Sequence, residues 1–185
     1  MKICIVSDSH DNRALLATAV HDAKDKGAEA VLHCGDVVAP TTLRGLPPIG
    51  LPVHVIHGNN TGDMFAMHVV MKTFPEIIHY HGMDANIVLA GKRIFMVHYP
   101  HYARAMSLTG DYDLVCFGHD HRIEIEQVKT IDDQQCYLIN PGTVGGVGKA
   151  PTYILADLED MSFEQFAVPT DHPYIKNTDP VTPHR

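Results

Sequence analysis

Short apolar runs that stop abruptly at polar residues set the pattern of this chain. Residues 2–6 form a β-branched run ending at Ser7-Asp8, which predicts a buried strand. The period then changes: Leu15, Leu16, Ala19, Val20 and Ala23 recur at helical spacing over 12–26 until Gly27 stops them. A second strand is expected over 30–34, ending at Gly35-Asp36. Strand, helix and strand in alternation favour a parallel sheet with right-handed crossovers, hence an α/β layer sandwich. Residues 39–52, rich in Pro and Gly, read as a connector with at most one short helix. A third strand over 52–56 runs into His57-Gly58-Asn59-Asn60. The stretch 63–72 predicts a helix with Met64, Phe65, Met67, Val70 and Met71 on its apolar side, a methionine stripe expected to be core rather than lid.

Further strands are expected over 76–80 and 85–90, with Gly91-Lys92 as a hairpin turn into 93–97, a run that ends at His98. A short helix over 102–108 precedes the strand at Leu114-Val115-Cys116-Phe117. Beyond His121 the alternation of 123–128, the turn at Asp132-Asp133 and the runs 136–139, 152–158 and 162–168 read as antiparallel pairs. The domain is placed at 1–168. Residues 169–185, with four prolines and no apolar periodicity, read as a tail hugging the surface or fraying from it.

Composition narrows the function. The chain has 185 residues, 45% hydrophobic and 19% charged, the balance of a globular protein, and no apolar stretch reaches the ~18 residues of a membrane span. Polar residues after Val6 end the first apolar run before a signal-peptide core could form, so a cytoplasmic protein is expected. Four separated cysteines in strand-like runs read as reduced and buried. A net charge of −8 without a basic run argues against a broad nucleic-acid surface or an anionic membrane as partner. With 14 histidines, only placement can distinguish ligands from bystanders.

Placement is informative because five apolar runs end in cation-binding residues. Val6 precedes Asp8 and His10, Cys34 precedes Asp36, Ile56 precedes Asn59, Val97 precedes His98, and Phe117 precedes His119 and His121. Ligands of open α/β sheets gather at the carboxyl ends of the strands. In extended backbone, residues two apart point the same way, so His119 and His121 are expected to face one pocket. Carboxylate, amide and imidazole donors without thiolate suit two divalent ions, manganese first, with nickel, iron, zinc or magnesium as alternatives. Asp36 stands between the two halves of the set and is the natural bridge. Two cations sharing it with a solvent molecule would acidify that water and clamp a phosphoryl centre, which is metal-assisted phosphoester hydrolysis. His33, His54, His79 and His81 match no such block and are read as structural, and the glycine-rich 142–148 is read as a loop lacking phosphate-loop spacing.

Asp8-Ser9-His10, Gly35-Asp36, Gly58-Asn59, His98 and Gly118-His119-Asp120-His121 resemble, in order, the five motif blocks of the calcineurin-like metallophosphoesterases. Asn140-Pro141-Gly142 is similar to the turn that follows them in the small single-domain phosphodiesterases. The resemblance implies a four-layer α-β-β-α sandwich of two mixed sheets flanked by helices. It also implies one cation held by Asp8, His10, Asp36 and His121, and another by Asp36, Asn59, His98 and His119. Attack of a metal-bridging hydroxide on small phosphodiesters, nucleotide-derived ones among the candidates, is the expected activity, with Asp36 and Asn60 as catalytic residues. Many relatives carry a proton-donating histidine where this chain has Asn60, which cannot be a general acid at neutral pH, so esters with acidic leaving groups should be favoured. The fourth block departs too, reading His98-Tyr99-Pro100-His101 rather than His-Gly-His, and His101 and Arg104 are further candidates for contacting phosphate or protonating the leaving group. The rival readings are a phosphomonoesterase, or a binding scaffold like the retromer subunit that shares the fold. The residues between Met64 and Met71 would then be a partner surface for the scaffold or a homodimer surface for the enzyme.

Overall fold

The structure, a computed structural model, is described for residues 1–171; the tail expected over 169–185 therefore lies almost wholly outside the described residues. Two mixed sheets pack face to face. In the first, β1 (Lys2–Val6), β2 (Ala28–His33), β3 (Val53–Val55) and β4 (Ile78–Tyr80) run parallel, and β10 (Thr152–Asp157) and β11 (Ser162–Ala167) continue the sheet antiparallel beyond β1. The second has the order β5 (Asp84–Leu89), β6 (Lys92–Val97), β7 (Leu114–Cys116), β9 (Gln135–Pro141), β8 (Ile123–Lys129). Its pairs β6–β7 and β7–β9 are parallel, and the two edges are antiparallel.

The central strands read as continuous apolar runs because both of their faces are covered. On β1, Ile3 and Ile5 enter the layer between the sheets, where they join Leu32, Ile94, Met96, Leu114 and Ile139. Cys4 and Val6 point the other way, toward α1 (Arg13–Asp25) and α2 (Met64–Thr73). On the far side of the second sheet, Phe95, Val97, Val115 and Phe117 pack with Ala103 of α3 (Pro100–Ser107). The result is the four-layer α-β-β-α sandwich. All four cysteines are buried and unpaired. Among the described residues no helix is long and apolar enough to cross a membrane.

Caps place the helices where the pattern puts them. Asn12 Oδ1 accepts the Leu15 N–H at the start of α1, and Asp63 Oδ1 accepts the Ala66 N–H at the start of α2. The connector after β2 holds two 3₁₀ turns, Pro40–Gly45 and Pro47–Ile49, in place of one short helix. The methionine stripe divides: Met67 and Val70 are core, whereas Met64, Val69 and above all Phe65 (78%) are exposed.

The hairpin between β5 and β6 turns one residue earlier than expected. Leu89 pairs with Lys92, and the turn residues are Ala90 and Gly91, at φ 48° and 77°. A two-residue primed turn needs positive φ at both central positions, so Lys92 is excluded and opens the strand. Alanine in this conformation is strained by roughly 1 kcal/mol relative to residues that adopt it readily. Ala90→Asn, which creates an Asn-Gly turn, is expected to raise the unfolding free energy in urea by about 0.5–1 kcal/mol.

Candidate metal centre

Each strand-end residue of the expected set reaches one rim of the sandwich. Asp8 and His10 follow β1, Asp36 follows β2, Asn59 follows β3, His98 follows β6, and His119 and His121 follow β7. Asp8, Asp36 and His98 are buried, while Asn59 and His119 face solvent, so the cluster is deep on one side and open on the other. Five of these residues, Asp8, His10, Asp36, His119 and His121, have positive φ between 42° and 80°. The backbone is thus coiled rather than extended where the ligands stand, a costly state typical of functional sites. Within the one cluster they share, His119 and His121 lie against different partners. His121 Nε2 lies 3.3 Å from Asp8 Oδ1 and 3.1 Å from His10 Nε2. His119 Nδ1 instead lies 2.8 Å from Asn59 Oδ1, beside His98 Nε2 at 3.1 Å from the same oxygen.

Hydrogen bonds on the outer ring nitrogens fix which atoms face inward. His98 Nδ1–H donates to the carbonyl oxygen of Cys34, and His121 Nδ1–H donates to that of Val147, both at 2.8 Å. Each ring therefore presents the lone pair of Nε2 to the cluster, the arrangement expected of metal-binding histidines. These lone pairs meet other acceptors: Asp8 Oδ1 for His121, and Asn59 Oδ1 and, at 3.4 Å, Asp36 Oδ1 for His98. Asp8 Oδ1 is buried with no hydrogen-bond donor. Acceptors crowding acceptors around an orphaned buried carboxylate oxygen is unfavourable unless a cation lies among them. The residues therefore fit a divalent metal. Asp8, His10 and His121 form one group with suitably spaced donor atoms, and Asp8, Asp36 and His98 form another. Asp36 turns Oδ2 toward His10 (3.8 Å) and Oδ1 toward His98. Burial raises the Asp8 carboxyl above the usual range.

Asn60 does not stand free for substrate. It donates its side-chain N–H to Asp36 Oδ2 at 2.6 Å and its backbone N–H to Oδ1 at 2.9 Å, so its first task is to hold that carboxylate. Arg104 is committed elsewhere, paired with Glu124 (2.9 Å) and Glu126 (2.6 Å). His101 is exposed, with its ring 5.9 Å from that of Tyr99. Tyr99 occupies the rim, 5.4 Å from the rings of both His98 and His119.

Two supports escaped the sequence reading. The glycine-rich loop holds the first ligand block: Thr143 Oγ1 and the Gly145 N–H donate to the Asp8 carbonyl, and the Val144 N–H to that of Ser7. Its glycines marked a loop, but no local signal tied that loop to the Asp8 block. His33, read as structural, is buried, with Nε2 on Ser9 Oγ at 3.0 Å and the Gly35 N–H on Nδ1. The Asn140 turn was visible, and Asn140 Nδ2 clamps Gly118 O and Asp120 Oδ1.

Residues 1–161 match the calcineurin-like phosphoesterase superfamily domain, and the chain belongs to that superfamily. It is a metal-dependent phosphoesterase by class. The chain is 27% identical over 174 residues to phosphodiesterase MJ0936 of Methanocaldococcus jannaschii, which covers 91% of this chain and 99% of that protein. A solved archaeal phosphodiesterase superposes with a TM-score of 0.80 at 27% identity, covering 90% of this chain and 99% of the other. The fold is shared by YfcE, a phosphoesterase from E. coli (TM-score 0.61, 19% identity, 91% and 100% covered). It is shared too by zinc-complexed Vps29 from Entamoeba histolytica (TM-score 0.60, 17% identity, 91% and 100% covered).

Backbone approach at the cluster leaves no room for a side chain. A Cβ on Gly58 would lie 2.2 Å from Asp36 Oδ1 and 2.6 Å from the His98 ring, and one on Gly118 would lie 2.6 Å from Asp8 Oδ2. Gly58→Ala is expected to weaken divalent-metal binding, measured by calorimetry, by about 10–100-fold, the usual cost of disturbing what orients a ligand. Burial pushes the His33 imidazole down to about 3. The folded ring stays neutral where the unfolded one takes a proton, so its stabilising contribution is complete above about pH 6.5 and is lost as pH falls toward 3, by up to ~1.4 kcal/mol per unit. In metal-stripped protein, urea unfolding of His33→Gln should show a dependence on pH between 6 and 4 that is shallower by about one proton.

Proposed function

We propose that the protein is a phosphodiesterase that cleaves small phosphodiesters using two divalent cations. The observation that carries the reading is the convergence of lone pairs at two neighbouring places, with one oxygen of Asp36 turned toward each. Asp8, His10, Asp36 and His121 would hold one cation, and Asp36, Asn59, His98 and His119 the other, with manganese the preferred ion. When bound, such ions supply the charge that acidifies a water and neutralises phosphoryl oxygens. The chain supplies the rest. Asp36 is kept in place by both N–H groups of Asn60, and the second side-chain N–H of Asn60 remains for a non-bridging oxygen of the substrate. The exposed flank of Asn59, Asn60 and His119 is the side from which a phosphodiester enters. With an amide at position 60, no side chain there protonates the departing oxygen, so diesters with acidic leaving groups react best. The similarity to phosphodiesterase MJ0936 supports this choice of ester over a monoester or a scaffold. Four buried, unpaired cysteines support a reducing, cytoplasmic setting.

The test is hydrolysis of bis(4-nitrophenyl) phosphate and 4-nitrophenyl phosphate by metal-stripped protein with manganese restored, beside Asp36→Asn and His119→Ala. Turnover should require metal, favour the diester, and fall in both variants by more than the roughly 10–100-fold cost of a lost supporting group. Calorimetric metal binding without turnover in manganese, nickel, zinc or magnesium would overturn the reading.

A further inference from the structure

The arginine that the sequence offers for phosphate recognition, Arg104, is neutralised by Glu124 and Glu126. Other cations are tied in the same way: Arg93 to Asp113, Lys26 to Asp22 and Lys129 to Asp133. Two cations beside the metal centre are not. Arg122 directly follows His121, and Lys149 lies two residues beyond Val147, whose carbonyl holds the His121 ring. Among the described residues neither has a carboxylate partner, in a chain whose net charge is −8. Both line a cavity of about 370 Å³ that begins at His121.

The walls of this cavity come from both sheets. Ile123 opens β8 of the second sheet, and Thr152 and Gln165 belong to β10 and β11 of the first, so the cavity is bounded by residues of both sheets. Ile123 is 41% exposed there and offers an apolar wall. The Arg122 backbone is fixed, since its N–H donates to Asp120 Oδ1 (3.1 Å) and that oxygen is held by Asn140 Nδ2 (2.8 Å). Size and chemistry then limit the occupant. The volume is at the lower end of small-molecule pockets, ~300–1,000 Å³, with room for a sugar and a phosphate. A guanidinium fork and an ammonium, both unpaired, suit the oxygens of a phosphomonoester.

We propose that this cavity is a subsite for a second phosphate on the ester arm that extends past His121, making the preferred substrates nucleotide-derived diesters that carry a further phosphate on the sugar. The inference rests on the phosphodiesterase reading above. Arg122 and Lys149 select the substrate and take no part in the bond cleavage, in which water supplies the new oxygen and the alcohol or phenol departs.

The test compares thymidine 5′-(4-nitrophenyl phosphate) with the same compound bearing a 3′-phosphate, using the manganese-loaded protein at low salt. The 3′-phosphate should raise kcat/KM by at least about tenfold, the scale of one charge-assisted contact. This preference should collapse toward one in Arg122→Ala/Lys149→Ala and shrink as salt is added, while Lys72→Ala/Lys92→Ala, an equal loss of charge outside the cavity, retains it. Equal kcat/KM for the two esters, or a preference unchanged in the double variant, would overturn the subsite. If neither ester is hydrolysed, the phosphodiesterase reading has failed, and calorimetry with thymidine 3′,5′-bisphosphate and thymidine 5′-monophosphate reads the cavity by itself. Tighter binding of the bisphosphate that the double variant loses would support the subsite; equal binding of the two nucleotides would overturn it.

Discussion

The hydrogen bond from His98 Nδ1–H to the carbonyl of Cys34 joins the end of β6 in one sheet to the end of β2 in the other, at the rim where the candidate metal ligands stand. A second link, from the His119 N–H to Asp8 Oδ2 at 3.0 Å, joins the end of β7 to that of β1. Both depend on the apolar layer beneath them. Ile3, Ile5 and Leu32 meet Ile94, Met96 and Leu114 there, and this packing sets how far apart the strand ends lie. Close-packed interiors transmit sub-ångström shifts, so the spacing of the donors is a property of the whole sandwich rather than of the loops that carry them.

The loops are the strained part of this arrangement. Asp8, His10, Asp36, His119 and His121 hold backbone conformations that L-residues rarely adopt, and each gives up local stability to aim a side chain. What retains them is a network of backbone contacts from elsewhere. The Gly35 and Asp36 carbonyls accept from Asp8 and His10, the 143–145 loop caps Ser7 and Asp8, and Asn140 pins the turn that carries His119 and His121. The two carboxylates are held differently. Asp36 is satisfied by Asn60, whereas one oxygen of Asp8 is left without a donor, so the cluster is least satisfied where a cation would lie.

Much of this was legible in the sequence, for a physical reason. A strand buried on both faces must read as an apolar run, and a polar residue that ends it marks where the chain leaves the sheet, so Val6, Cys34, Ile56, Val97 and Phe117 announced both the sheets and the rim. Directions at the strand ends were not legible, because the extended geometry that makes i and i+2 share a face lapses once φ turns positive at His119 and His121. Partners distant in sequence were also hidden. Nothing local to Arg104 says that Glu124 and Glu126 occupy it, and nothing local to residues 142–148 says that they cap a strand end more than 130 positions away. The hairpin turn at Ala90-Gly91 was missed by one position because the alanine there violates its own preference.

The position of β1 has a consequence for the order in which the molecule is made. Its two neighbours are β2, synthesised almost at once, and β10, whose residues Thr152–Asp157 come about 150 positions later. Until β10 has left the ribosome, β1 has one edge unpaired and the Asp8 carbonyl lacks the loop that caps it. A nascent chain can therefore carry every cation-binding side chain and still have no finished centre, with long-range pairing as the slow step. In that interval the open edge of β1 is exposed to non-native strand pairing.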